Sequence, residues 1–313
     1  MFSGSLKKKV GWILSFVLIV GLVFYLALQS VIFLGIVSHE YSDVFTVPRR
    51  NQIGVLSVDG VLLEVQPLLD RLQSLKKRSE IKAIILDINS PGGAVGPTQE
   101  LSDEIDRVRA ETEKPIISFV RNTGASGAYH VAVSGDTVVA NPGSVVGSIG
   151  VMMQFIQASE MVDKIGLDYE VIKSGEFKDL GSPFRTMSEE ERELLQELVM
   201  DVYEQFIEYV AERRETLEDA DVEAVADGRL FTGKQALQAG LIDQTGSRRE
   251  AIEVARKAAG IEEEPVVDEP REKKPSPLRL LSRLGDFVSG FAGVPENEIR
   301  LLYKTPDWGG SFD

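Results

Sequence analysis

The residues best placed to do chemistry stand in three short stretches. The first, RNTGASGAYH, occupies positions 121–130 and crowds Thr123, Gly124, Ala125, Ser126 and Gly127 between a strand-like run and a helix-like run. A turn needs only one glycine, so the crowding is either a packing joint or a cleared approach to a nucleophile. A serine at a strand-to-helix corner sits at the carboxyl edge of an α/β sheet, where ligands bind; the same position is also a common N-cap. The stretch approaches the G-x-S-x-G nucleophile elbow, with Ala128 where that pattern has glycine.

The second stretch is NSPGGAV, with Pro91, Gly92 and Gly93 directly after an apolar strand-like run. Paired glycines let backbone N–H groups approach a ligand with no Cβ in the way, and a helix starting near Thr98 would add a field favouring an anion. Such a loop suits an oxyanion hole; a simple tight turn would need the same residues. The third is KSGEFKDLGSPFR, residues 173–185. A nucleophilic serine needs a base, and a lysine can be that base only when desolvated enough to be neutral. Lys173 and Lys178 are both available, and position alone does not separate them. His130, four residues after Ser126 on the same helical face, is a further candidate base, although nothing obvious orients it. A buried polar histidine is its competing reading.

These stretches need a scaffold, and the chain provides one. Its 313 residues are enough for one large domain or two modest ones. There are no cysteines, which excludes disulfides, thiolate metal sites and a cysteine nucleophile; two histidines are too few for a histidine-rich metal centre. No cofactor is implied. The net charge of −15 argues against nucleic acid as a partner.

Residues 10–37 carry no charge and follow Lys7, Lys8 and Lys9. That length exceeds the roughly 7–15 apolar residues of a signal-peptide core and suits a retained membrane anchor. The lysines place residues 1–9 in the cytoplasm and the rest of the chain beyond the membrane. After a linker at 38–51, apolar strand-like runs alternate with amphipathic helices over 52–261, an α/β pattern. Strands are predicted at IGVLSVDG, IKAIILDINS, PIISFV, DTVVANP, GSIGVMMQFI and DYEVIKS (168–174), and a short one at LID. A long helix spans Ser188 to Arg214, with Ser188 and Glu191 as a capping box. Residues 262–277 read as a charged, proline-rich linker, and 278–313 as a tail apolar enough to dock.

In order, SPGG, GASGAY, GSIGV and KSGEFKDLGSP resemble the motifs of signal peptide peptidases of the SppA type, over about Ile53 to Ile261. That family consists of membrane-anchored serine proteases with a Ser/Lys dyad and a crotonase-like (ClpP-like) fold. The resemblance implies Ser126 as nucleophile, Lys178 as general base and Ser148 as the serine orienting the lysine. Gly93, with Gly92 or Ser126 beside it, would supply the oxyanion hole. It also implies acyl transfer on signal-peptide remnants and other apolar segments. A short chain with one motif set would assemble into a homo-oligomeric ring whose sites need neighbouring subunits. Three alternatives stand beside it: a crotonase-like acyl-CoA enzyme, which needs neither Lys178 nor an anchor; a Ser/Lys protease dedicated to one membrane-protein partner; and an inactive membrane scaffold.

Overall fold

The computed structural model describes Leu22, Tyr25, Leu26, Gln29 and residues 51–214, 219–270 and 302–304. The chain divides into two compact units, Met1–Arg49 and Arg50–Asp313. In the first, the four described residues are helical and exposed. Among the described residues no helix is long and apolar enough to cross a membrane. The anchor expected at 10–37 lies, apart from those four positions, outside the described residues.

The second unit is built on a sheet that is parallel almost throughout. Its elements run β1 (Gln52–Asp59), α1 (Gln66–Lys77), β2 (Ile81–Ser90), β3 (Gly92–Ala94), α2 (Val95–Glu111), β4 (Ile116–Ala125) and α3 (Gly127–Ala132). They continue with β5 (Thr137–Ala140), β6 (Val145–Gly147), α4 (Ser159–Ile165), a 3₁₀ turn (Glu176–Asp179), α5 (Glu189–Arg213) and α6 (Asp219–Val225). Last come β7 (Leu230–Thr232), α7 (Gly233–Gln238), β8 (Gln244–Thr245), α8 (Arg248–Ala258), β9 (Val266–Asp268) and β10 (Leu302–Lys304). The main sheet has the order β7-β6-β4-β2-β1-β9, and β5 joins β4 to β8. Only β7, which pairs with β6, runs antiparallel in it.

The continuous apolar runs follow from burial on both faces. Along β2, Ala83 and Ile85 face α8, while Ile84, Leu86 and Ile88 join the larger core with residues of α1, α2 and α5. In α5, Leu195, Val202, Phe206 and Val210 are buried, while Leu194 and Leu198 stay exposed. Its capping box is complete: Glu191 N donates to Ser188 Oγ at 3.1 Å and Ser188 N to Glu191 Oε2 at 2.8 Å.

Several sequence-derived elements are corrected. The strand predicted through GSIGVMMQFI ends at Gly147, where two successive residues of positive φ turn the chain out of the sheet. DYEVIKS forms no strand, because no sheet edge in this chain lies beside it; Ile172 is 96% exposed. LID is irregular, and the short strand follows it at Gln244–Thr245. Strand β4 runs on through Thr123 and Gly124, both paired with β6, while its register against β2 shifts between Val120 and Gly124. Helix α2 starts at Val95 rather than Thr98. Within the stretch read as linker, Val266–Asp268 adds a strand to β1, held by Asp268 accepting from Arg71 at 2.8 Å and Arg78 at 2.7 Å.

Candidate active site

Strand β4 delivers Ser126 to the carboxyl edge of the sheet, and α3 leaves from it at once. The corner is sharp enough that Ser126 holds φ 56° and ψ −124°, a region that side chains avoid at a cost of about 1–3 kcal/mol. Its N–H donates to Gly147 O at 2.7 Å, and its carbonyl accepts from Tyr129 N at 2.8 Å and His130 N at 3.0 Å. The residue occupies the N-cap position, yet its side chain caps nothing. Helix capping therefore does not explain the serine. The small residues before it have a packing reason as well: a Cβ on Gly124 would lie 2.8 Å from a Val120 methyl.

Ser148 stands beside it. Ala125 pairs with Gly147 across β4 and β6, so the residues that follow, Ser126 and Ser148, leave neighbouring strands side by side. Ser148 also has positive φ, at 53°, and its N–H donates to Arg229 O at 2.8 Å. Among the described residues only Asn51, Ser126 and Ser148 combine a side chain with positive φ. Two of the three are the serines singled out from the sequence. Ser148 opens onto a cavity of about 410 Å³ lined also by Val151, Met152, Val199, Met200 and Tyr203.

The paired glycines form β3, one strand away, since Ser90 is in register with Gly124. Gly92 has φ 95° and donates its N–H to Ser90 Oγ at 3.1 Å, so that donor is engaged. Gly93 passes Leu62 so closely that a Cβ on it would come within 2.1 Å of the Leu62 carbonyl oxygen. Leu62 N donates to Gly92 O at 3.0 Å and Ala94 N to Leu62 O at 2.8 Å. Strand alternation then turns the N–H and C=O of Gly93 to the opposite edge. Helix α2 begins immediately after β3, so its positive N-terminal end lies beside this loop.

Lys178 is not brought to the serines in the same way. It lies exposed on the 3₁₀ turn, and no hydrogen bond among the described residues joins it to Ser126 or Ser148. Lys173 is engaged: its Nζ donates to Glu176 O at 2.6 Å and Asp179 Oδ1 at 2.7 Å. Arg185 clamps Asp179 and Glu191 together. Its hydrogen bonds, with those of Lys173, hold the Asp179 carboxyl far below the usual range, and Arg185 lowers Glu191 to about 2. This network braces the segment that carries Lys178.

His130 is 3% exposed, and its Nδ1 shares a hydrogen bond with Ser102 Oγ at 2.8 Å. Its ring stacks on Tyr209 with centroids 3.9 Å apart, and Tyr209 in turn donates to Asp106 and Ser134. Burial first, then Arg213, push its pKa down to about 3. The buried polar role is the one the structure supports. Sequence reasoning missed Ser102, Tyr209, Ser90 and Leu62 around the site: none carries a local motif, and all but Ser90, which bonds Gly92 two residues on, act through contacts remote in sequence.

Residues 109–262 match the model of peptidase family S49. A Methanocaldococcus jannaschii protein provisionally named a protease is 33% identical over 217 residues, covering 69% of each chain. The chain belongs to peptidase family S49. An Enterococcus faecium protein provisionally named signal peptide peptidase SppA is 32% identical over 232 residues, 70% of this chain and 67% of that one. The chloroplastic serine protease SPPA of Arabidopsis thaliana is 33% identical over 241 residues, 76% of this chain and 34% of that protein. The stretch matched to the S49 model holds Ser126, Ser148 and Lys178; Gly92 and Gly93 lie before it.

Proposed function

We propose that the protein is a membrane-anchored serine endopeptidase that degrades cleaved signal peptides and other apolar peptides through an acyl-enzyme on Ser126. The observation that carries this reading is the backbone at Ser126: a strained serine that caps nothing, beside Ser148 and one strand from Gly93. In the mechanism, neutral Lys178 takes the Ser126 proton, and Ser148 orients the lysine. Oxygen Oγ attacks the scissile carbonyl, and the oxyanion rests on the Gly93 N–H at the α2 terminus. Lys178 returns the proton to the leaving amine, and water releases the acyl group. Gly92 shapes the loop through its positive φ and its bond to Ser90. The engagement of Lys173 by Asp179 favours Lys178 as base.

In a single chain Lys178 lies exposed on its turn and is bonded to neither serine, so the site is completed by a neighbouring copy in a homo-oligomeric ring. Exposed Ile156, Ile172 and Tyr169 supply apolar surface for that contact. The scaffold is a crotonase/ClpP-like one, anchored through residues 10–37 with the catalytic unit beyond the cytoplasmic membrane. The apolar cavity beside Ser148 suits an apolar substrate side chain.

The test is cleavage of a fluorogenic apolar peptide by the full chain, Ser126→Ala and Lys178→Ala from neutral to alkaline pH. Both variants should fall to background, about 1000-fold or more. Full activity in Lys178→Ala would overturn the dyad.

A further inference from the structure

The methionines of this chain are not scattered. All of them except Met1, which lies outside the described residues, line one of two adjoining cavities. The larger, of about 990 Å³, is bounded by the segment that follows Ser148 and by the start of α5, and Met152, Met153, Met161 and Met187 line it. The smaller is the one beside Ser148, lined by Met152 and Met200. Val151, Met152, Gln196 and Val199 belong to both linings, so the two cavities share a wall. Met161 is 65% exposed and Met200 40%, while Met152, Met153 and Met187 are half-buried. Flexible thioethers make a surface that repacks around apolar groups of different shape, which suits a peptidase of apolar segments. The same sulfurs are open to oxidants, and the chain has no cysteine to react first.

We propose that the cavity-lining methionines are an oxidation site for peroxides, through which an oxidant weakens the hold on apolar peptides and leaves the acyl-transfer chemistry intact. The proposal rests on the reading of this site as a peptidase of apolar segments. In the step, the methionine sulfur attacks one oxygen of hydrogen peroxide. The O–O bond breaks and an S–O bond forms; the leaving hydroxide takes up the proton of the transferred O–H and departs as water. Sulfur is oxidised by two electrons and the peroxide is reduced. The sulfoxide is polar and must be desolvated against an apolar substrate side chain, a loss of about 10-fold in binding. Met152 belongs to both walls, so its oxidation weighs most. Ser126, Ser148 and Gly93 carry no sulfur, and sulfoxide reductases return the thioether, so the change is reversible.

The test treats the full chain with hydrogen peroxide, maps sulfoxides by peptide mass spectrometry and measures cleavage of a fluorogenic apolar peptide before and after. Met152, Met161 and Met200 should be oxidised and KM should rise about 10-fold. The kcat and the rate of fluorophosphonate labelling at Ser126 should stay the same, and methionine sulfoxide reductase should return KM to its starting value. Leucine conserves the volume and forms no sulfoxide. Each variant is compared with its own untreated state: Met152→Leu should lose most of the rise, and the combined replacement of Met152, Met153, Met161, Met187 and Met200 by leucine should lose all of it. Cavity methionines that stay unoxidised, an unchanged KM after oxidation, or a rise that persists in the combined variant would each overturn the proposal. Loss of the circular dichroism spectrum on oxidation would do so too. Binding of the same peptide to Ser126→Ala, followed by fluorescence anisotropy, separates this proposal from the reading it rests on. If oxidation weakens that binding while no form cleaves or takes the label, the nucleophile is misassigned and the oxidation site stands.

Discussion

Ser126 and His130 are one helical turn apart and illustrate two uses of a polar side chain. Ser126 is held by its neighbours in a conformation it would not choose, with its hydroxyl uncommitted to the helix. His130 is committed on every side described: Ser102 at Nδ1, Tyr209 on its face and Phe206 at 5.2 Å. Its folded pKa of about 3 lies below the unfolded value, so between the two the unfolded state binds more protons. Stability is therefore lost as pH falls below about 6.5. His130→Phe keeps the ring and drops the titration. At pH 7 it should be less stable by about 1 kcal/mol, for the lost bond to Ser102. By pH 5 the wild type gives up about 2 kcal/mol that the variant does not, so the gap should close or invert. Thermal melts at the two pH values decide this. A gap that widens on acidification would contradict the neutral, buried histidine.

At the scale of elements, the site depends on a three-residue strand that no propensity scale would select. Strand β3 exists because Gly92 takes a positive φ and Gly93 lets the chain lie against Leu62. Gly93→Ala must push β3 away from that backbone, displacing the Gly93 N–H that the proposed mechanism assigns to the oxyanion. Loss of one such donor costs about 100-fold or more in kcat. The strand lies outside the main sheet, so the circular dichroism spectrum should be unchanged while fluorophosphonate labelling slows. Labelling at the wild-type rate would remove Gly93 from the oxyanion hole. The same dependence on a partner explains the elements misread from sequence. IKAIILDINS became β2 residue for residue, because burial on both faces demands that pattern. DYEVIKS has equal strand character but no strand to lie beside, and Val266–Asp268 has less yet finds the edge of β1.

The whole molecule raises the question of where the base comes from. Lys178 projects from a braced but exposed segment rich in uncovered apolar side chains, while Ser126 is 1% exposed in the body. If a neighbouring copy supplies the lysine, two inactive proteins complement each other. Mixed one to one and allowed to exchange subunits, Ser126→Ala and Lys178→Ala should recover about a quarter of wild-type activity in a closed ring, since both intact residues must meet at one junction. No recovery from demonstrably mixed rings would place both residues of each site in one chain.

The sequence by itself determined the alternation of strands and helices, the capping box at Ser188 and the three glycine- and lysine-bearing stretches. These are properties of local pattern: burial on two faces, a side chain reaching three residues, small residues in a row. It also left Lys173 and Lys178 equal, as it left Ser126 between nucleophile and N-cap. Only the tertiary structure decided what each residue is tied to. It engaged Lys173 with Asp179, withheld the Ser126 hydroxyl from the helix, buried His130 under Tyr209, and set Leu302–Lys304 against the edge of β3. The burial of His130 and the seat of Leu302–Lys304 are contacts between segments distant along the chain, and even the local outcomes at Lys173 and Ser126 depend on how the fold bends the backbone there.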